Sequence, residues 1–154
     1  MVQLNNNSKF HNLNDRDLVE LAGYQAYIIN ENTRIITVND SKYRVLNTKK
    51  DRYTGLDAHT VVNLKTKEFT VVFVGTNVEQ IEDIKTDIFL VSDVDVPQLE
   101  AAKEYYEKMD EKYGIDSVTG NSLGGALANR IGVDNPPMFE RLLITPPLFY
   151  QNIK

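Results

Sequence analysis

Cysteine is absent from this chain of 154 residues. That absence excludes a disulfide framework and a thiolate zinc site, and it leaves the cellular compartment open. No apolar run approaches the ~18 residues that a membrane-spanning helix needs, so no transmembrane segment is expected. The first residues lack the basic and apolar stretches of a Sec signal peptide. We therefore expect a cytoplasmic protein or one secreted by a leaderless route.

Positive charge is also scarce. Lysine and arginine number 17 against 22 acidic residues, which gives a net charge of -5 and a pI near 5.0. Without a basic stripe, a nucleic-acid partner is not expected. The length and the 42% apolar content indicate a single globular domain. We place that domain at 13–154, behind a loose polar arm at 1–12.

Apolar periodicity predicts the order of helices and strands. Helices are expected over 15–28, from Asp95 to Gly114 and over 126–131, and strands over 34–38, 43–46, 58–64, 69–74, 116–119 and 141–145. The first helix carries a capping signal, with Asn14 as N-cap and Asp17 reaching back from the N3 position. From residue 69 onward, strands alternate with helices, which predicts a mostly parallel sheet behind an antiparallel hairpin.

One short segment carries a recognisable chemical motif, Gly120-Asn121-Ser122-Leu123-Gly124. A β-type run precedes this Gly-x-Ser-x-Gly pattern and a helix-compatible run follows it, which is the context of a nucleophile elbow. Such a turn presents the serine hydroxyl at a helix N-terminus, where developing negative charge is favoured. The alternative is a glycine- and serine-rich turn without chemistry.

Together with the strand end Phe73-Val74-Gly75-Thr76, this motif resembles the class 3 lipase group of α/β hydrolases. The resemblance covers about 12–150 and departs from the family at Val74, where many members have arginine. It implies an α/β-hydrolase-like fold, here truncated soon after the strand that follows the elbow, with flanking helices. It also implies hydrolysis of a lipid or phospholipid acyl ester without a cofactor.

The resemblance assigns roles residue by residue. Ser122 would be the nucleophile, and the backbone N–H of Leu123 would be one donor to the oxyanion. Thr76 would supply the second donor through its N–H and its hydroxyl. Each donor of this kind typically contributes about 3–4 kcal/mol to the lowering of the barrier.

The segment 77–95 would form the lid or the rim of the site. Its apolar residues Ile88, Phe89 and Leu90 would bind substrate in that case, whereas the alternative is that they pack under the edge of the sheet. Asp83 and Asp87 lie in the same segment and have the oxygen ligands that a cation prefers. Two acids on such a loop are more often solvated, so no metal site is expected.

A general base for Ser122 is missing from the sequence that follows it. In this fold the acid and the histidine of the triad come after the serine, but no histidine follows Ser122 and the only later acids are Asp134 and Glu140. The two histidines, His11 and His59, both precede it. His59 fits a half-exposed strand residue better than a base.

Three interpretations remain open at this stage. The chain is an esterase unit completed by a second chain, by self-association or by a further segment; it is a non-catalytic module that binds a lipid, an acyl chain or a partner protein; or it is a fragment without independent function.

Overall fold

The computed structural model describes residues 15–75, 96–135 and the backbone of 142–145. Six strands form one sheet in the order β1-β2-β3-β4-β5-β6. The strands are β1 Ile35–Val38, β2 Ser41–Lys50, β3 Asp57–Asn63, β4 Phe69–Phe73, β5 Ser117–Asn121 and β6 Leu142–Thr145. All six predicted strands are thus confirmed.

Within the described residues, three helical segments flank the sheet. The first, α1, is α-helical over Asp15–Glu20, π-helical over Leu21–Gln25 and α-helical again over Ala26–Ile28. The second, α2, is Val96–Tyr113, and the third, α3, is Leu123–Asp134. The predicted helices are confirmed, with a π-helical turn in α1 that the apolar spacing did not indicate. Among the described helices, none is both long and apolar enough to cross a membrane.

The sheet is mixed, and its parallel part is smaller than expected. Strands β1 to β4 pair antiparallel, whereas only β4–β5 and β5–β6 pair parallel. The α/β class is confirmed, but the expectation of a mostly parallel sheet is corrected. The reason is that β1 to β4 follow one another through short turns, which permit antiparallel pairing only.

Each face of the sheet has its own apolar core. Val71 and Phe73 of β4 pack with Tyr106 of α2 and Leu127 of α3. Val72 of β4 points to the opposite face and packs with residues of α1. This two-sided burial explains the nearly unbroken apolar sequence of β4, which lies between the antiparallel and parallel parts of the sheet.

Asp17 does not have the capping role expected from its position. Its side chain is fully buried, and its two carboxylate oxygens accept hydrogen bonds of 2.8 Å from the Asn39 side-chain amide and the Tyr43 hydroxyl. The carboxylate therefore ties α1 to the β1–β2 hairpin. Asn14, the expected N-cap of α1, and Asp95, the expected start of the second helix, lie outside the described residues, as does the predicted arm at 1–12.

Candidate functional site

Ser122 lies in the turn between the parallel strand β5 and helix α3, and its backbone has φ 57° and ψ -123°. A positive φ is unfavourable for a residue with a Cβ, and it typically costs about 1–3 kcal/mol. The other described non-glycine residues with positive φ are Asn39 and Lys67. Asn39 lies between β1 and β2, and Lys67 between β3 and β4, so both belong to antiparallel hairpins. Ser122 alone combines this strain with a strand-to-helix turn, within the described part of the chain.

The glycines on either side of Ser122 make the turn sterically possible. A Cβ on Gly120 would collide with the carbonyl oxygen of Gly124, and a Cβ on Gly124 would collide with the carbonyl oxygen of Phe73 at the end of β4. The backbone of the turn therefore passes so close to itself and to β4 that no larger residue fits.

The side chain of Ser122 is unusual in a second respect. Its Oγ is the only buried side-chain polar atom of the described residues that has no hydrogen-bond partner. A buried polar group without a partner costs about 1–3 kcal/mol. Such orphaned groups in native structures often have a catalytic role or bind a ligand.

Helix α3 begins immediately after Ser122, and the Ser122 carbonyl accepts the hydrogen bond of the Ala126 N–H. The N–H groups of the first helical turn, beginning with Leu123, have no partner within the helix and point towards its N-terminus. Anions and developing negative charge are stabilised at such a terminus. The arrangement therefore places a hydroxyl beside potential donors to an oxyanion.

Tyr27, at the end of α1, contacts the residue that precedes the serine. The Asn121 side-chain amide donates a hydrogen bond of 3.4 Å to the Tyr27 hydroxyl. Burial raises the pKa of Tyr27, the Asn121 hydrogen bond opposes that rise, and the nearby Asp57 adds to it. Tyr27 therefore remains a neutral phenol at neutral pH.

A cavity of about 820 Å³ opens at the carboxyl ends of β4 and β5, and Gly75 and Leu123 line one end of it. At the other end it is lined by Lys50, Asp57 and His59. We refer to it as the edge cavity. In α/β proteins, ligands bind at this edge of the parallel strands. The cavity and Ser122 therefore share the position expected of a binding site.

His59 is a structural residue and not a base for Ser122. It is only 1% exposed, its Nε2 lies 2.9 Å from the Ala26 carbonyl and its Nδ1 lies 3.3 Å from the Thr48 hydroxyl. Because a carbonyl only accepts, Nε2 carries the proton and Nδ1 accepts from the threonine. Burial lowers the pKa of His59. The expectation of a half-exposed strand residue is therefore corrected, since α1 covers this part of the sheet.

The strand register separates His59 from the serine. His59 pairs with Val72, and Val72 pairs with Thr119, which lies three residues before Ser122. Two strand spacings and three residues along a strand place the two Cα atoms roughly 14 Å apart. The imidazole does not reach the hydroxyl across that distance.

Asp134, the other described candidate from the sequence, is farther from the serine. It ends α3, about 18 Å along the helix from Ser122, where its carboxylate forms ion pairs of 3.5 Å with Lys103 and 3.4 Å with Arg130. The structure therefore brings neither described candidate for acid or base to the serine.

The other residues predicted for the site lie outside the described residues: Thr76, Asp83, Asp87, Ile88, Phe89, Leu90, His11 and Glu140. Within the described ranges, no group of three or more acidic or histidine side chains is arranged to hold a metal ion. Sequence reasoning missed Tyr27, Lys50 and Asp57 as residues around the site. No local motif marks them, because only the pairing of distant strands brings them together.

Comparison with solved structures finds lipases. The native Rhizomucor miehei lipase in its propeptide complex is 16% identical, with a TM-score of 0.55, and the match covers 90% of this chain and 53% of the lipase. Lip2 lipase from Yarrowia lipolytica is 17% identical, with a TM-score of 0.53, over 90% of this chain and 58% of Lip2. A triacylglycerol lipase described as having a serine-protease triad at its catalytic centre is 16% identical, with a TM-score of 0.53. That match covers 90% of this chain and 61% of the lipase.

These similarities show a lipase-like α/β fold. The chain spans between about a half and three-fifths of the length of these lipases. Neither a protein-family model nor a curated protein sequence matches the chain.

Proposed function

We propose that the chain is a serine esterase unit of the lipase type and that Ser122 is its nucleophile. The observation that carries the proposal is the conformation of Ser122, which has a positive φ and a buried hydroxyl without a hydrogen-bond partner. Glycine at this position would avoid both costs. A strained serine in a strand-to-helix turn is typical of a nucleophile elbow, and its unpartnered hydroxyl is available to a base or a ligand.

The proposed reaction is acyl transfer. The Ser122 Oγ attacks the ester carbonyl carbon while its proton passes to a base, and the tetrahedral oxyanion is held by the N–H groups of Leu123 and Thr76. The alcohol then leaves with a proton, and water hydrolyses the acyl-serine in a second step. The lipase-like fold supports an ester of a fatty acid as the substrate class, and no cofactor takes part.

The base of this unit lies outside the described residues. His59 is the only histidine within 15–75 and 96–135, and its two ring nitrogens are already bonded to the Ala26 carbonyl and the Thr48 hydroxyl. We therefore propose that a residue outside those ranges, or a second chain, supplies the imidazole and the acid that orients it.

A non-catalytic binding module is the second candidate. The observation in its favour is that the Ser122 hydroxyl has no hydrogen bond to any base. In that case the edge cavity would bind an acyl ester or its alcohol, and Ser122 would be a remnant of the catalytic turn.

Labelling with a fluorophosphonate distinguishes the two, because only a serine with a base reacts quickly. We expect stoichiometric labelling that Ser122→Ala abolishes and that Ser41→Ala, a change outside the site, leaves intact. A second-order dependence of the rate on protein concentration would assign the base to a second copy, and a first-order dependence to the same chain. Folded protein that is not labelled at any concentration would reject an esterase completed by this chain or by a second copy of it, and it would favour the binding module.

A further inference from the structure

The lining of the edge cavity indicates the kind of ester that fits it. Most of the side chains there are polar, and four of them are charged: Lys50 and Arg52 are cationic, and Glu31 and Asp57 are acidic. An acyl chain gains nothing from such surroundings, because burying charged groups against hydrocarbon without partners is costly. The cavity therefore suits the alcohol portion of an ester and not its fatty acid.

The two cations are available to a ligand. Lys50 and Arg52 are exposed, and neither forms an ion pair within 15–75 and 96–135. Lys50 lies directly opposite Asp57 in the β2–β3 register, and its charge bears on the protonation of both Asp57 and His59. Lysine and arginine are the side chains that proteins commonly use to bind phosphate groups.

The carboxylates supply the opposite charge, with Asp57 beside Lys50 and Glu31 from another part of the chain. Asp57 is half-buried at the start of β3, and Glu31 is exposed in the connection that follows α1. With two positive and two negative side chains, the lining has no net charge. A ligand that carries both signs matches it better than a purely anionic or a neutral one.

The register also fixes how far these charges lie from the serine. Lys50 pairs with Asp57, and the Val74 N–H donates a hydrogen bond of 2.9 Å to the Asp57 carbonyl. In the parallel β4–β5 pairing, the residue of β5 next to Val74 is Asn121. These four residues therefore lie side by side across the four strands. Three strand spacings separate Lys50 from Asn121, roughly 14 Å between Cα atoms. When the lysine side chain extends along the cavity, its ammonium group lies closer to the serine than its Cα does. One small ester then spans from the serine to the ammonium group.

From this geometry we propose that the edge cavity binds a zwitterionic head group that bears a phosphate and an amine, which makes the substrate a glycerophospholipid rather than a triacylglycerol. Lys50 and Arg52 contact the phosphate, and Asp57 and Glu31 face the amine. The inference rests on the proposed function, because the cavity receives the alcohol portion of an ester substrate only if Ser122 is the nucleophile.

The test is equilibrium binding to the Ser122→Ala protein, which cannot turn the ligand over. The probe is dihexanoylphosphatidylcholine below its micelle concentration, compared with dihexanoylglycerol, dihexanoylphosphatidylglycerol and free phosphocholine. We expect the phosphatidylcholine to bind most tightly of the four. Lys50→Gln and Arg52→Gln should each weaken it by about tenfold, the loss expected for one charge-assisted hydrogen bond.

Lys49→Gln is the matched control. Lys49 is the preceding residue of β2 and lines a separate cavity against α2, which Lys50 does not line. The same loss of charge should leave the affinity unchanged there.

Several results would overturn the inference. Dihexanoylglycerol or free phosphocholine could bind as tightly as dihexanoylphosphatidylcholine, or the purely anionic phosphatidylglycerol could bind more tightly. Lys50→Gln and Arg52→Gln could also leave the affinity for the phosphatidylcholine unchanged. This assay is independent of the fluorophosphonate test. A protein that binds the phospholipid but is not labelled would retain the head-group site and lose the esterase function.

Discussion

Gly124, in the first turn of α3, lies so close to the carbonyl oxygen of Phe73 that the position has no room for a methyl group. This contact joins the end of β4 to the start of the helix that follows Ser122. It holds the turn in place from the side, and it explains the second glycine of the motif by close approach of two backbones and not by a positive φ.

Gly124→Ala should therefore destabilise the protein, although alanine is the better helix former by about 1 kcal/mol. The added Cβ forces β4 and α3 apart, and overpacking of this kind costs about 1–3 kcal/mol or more. We expect a loss of about 3 kcal/mol in the free energy of unfolding, measured by urea denaturation.

Gly114→Ala is the matched control. Gly114 ends α2 with φ +72° and has no atom within 4 Å of the position of a Cβ. Only backbone strain opposes alanine there, at a cost of about 1–2 kcal/mol. Equal losses for the two variants would show that the Phe73 contact does not constrain the turn.

Ser122→Ala should leave the stability unchanged or raise it by about 1 kcal/mol, because it removes a buried hydroxyl that has no partner. Ser117→Ala makes the same change at the start of β5, the strand that precedes Ser122, but there the hydroxyl lies 2.8 Å from the Thr70 hydroxyl. We expect that variant to lose about 1–2 kcal/mol. Denaturation curves that show a larger loss for Ser122→Ala would mean that its hydroxyl is structurally bonded.

The sequence predicted the elements well because their signals are local. The alternating and unbroken apolar runs gave the β3–β4 hairpin, and the order around Ser122 gave the turn between β5 and α3. The role of Asp17 could not be predicted from the neighbouring sequence. Its position fits a cap, but the chain brings Asn39 and Tyr43 to it from another element, and that contact depends on the tertiary fold.

His59 and Lys50 illustrate the same limit at the site. Nothing in the neighbouring residues shows that α1 covers His59, or that Lys50 faces a cavity while Lys49 faces another. Both facts depend on the β2–β3 register, in which the pairing shifts between Val45 and Asn47. A shift of one residue exchanges the two faces of a strand. The face on which Lys49 and Lys50 lie, beyond this shift, therefore does not follow from their spacing in the sequence alone.

The buried contact between Asp17 and Tyr43 should be strongly coupled. Burial raises the pKa of Tyr43, and the Asp17 carboxylate contributes to the rise. The phenol therefore stays protonated and donates to the carboxylate. In a double-mutant cycle of Asp17→Asn and Tyr43→Phe, we expect an interaction free energy of about 1–3 kcal/mol.

The exposed pair Arg130 and Asp134 provides the comparison, with a distance of 3.4 Å and a spacing of one helical turn. A cycle of Arg130→Gln and Asp134→Asn should give about 0.5 kcal/mol or less, because solvent screens the charges. Coupling energies of the same size in both cycles would contradict a special role for the buried pair.

Finally, the stability of the protein should decrease as the pH falls through the range in which histidine titrates. Burial lowers the pKa of His59 below its ordinary value of 6.5, so the fold favours the neutral ring, whose Nε2–H donates to the Ala26 carbonyl. The contribution of His59 is fully present above pH 6.5. It is lost as the pH falls towards the lowered pKa of the folded state, because the unfolded chain binds the proton more readily.

Urea denaturation at several pH values between 5 and 7.5 measures this slope in the wild type and in His59→Asn. The variant will be less stable at every pH, since it loses packing and at least one hydrogen bond, but that loss alone does not change the slope. Burial raises the pKa of the nearby Asp57, which works in the opposite direction as the pH falls. We therefore expect the wild type to lose stability more steeply than His59→Asn below pH 6.5, and parallel pH profiles would show that the ring is not held neutral by the fold.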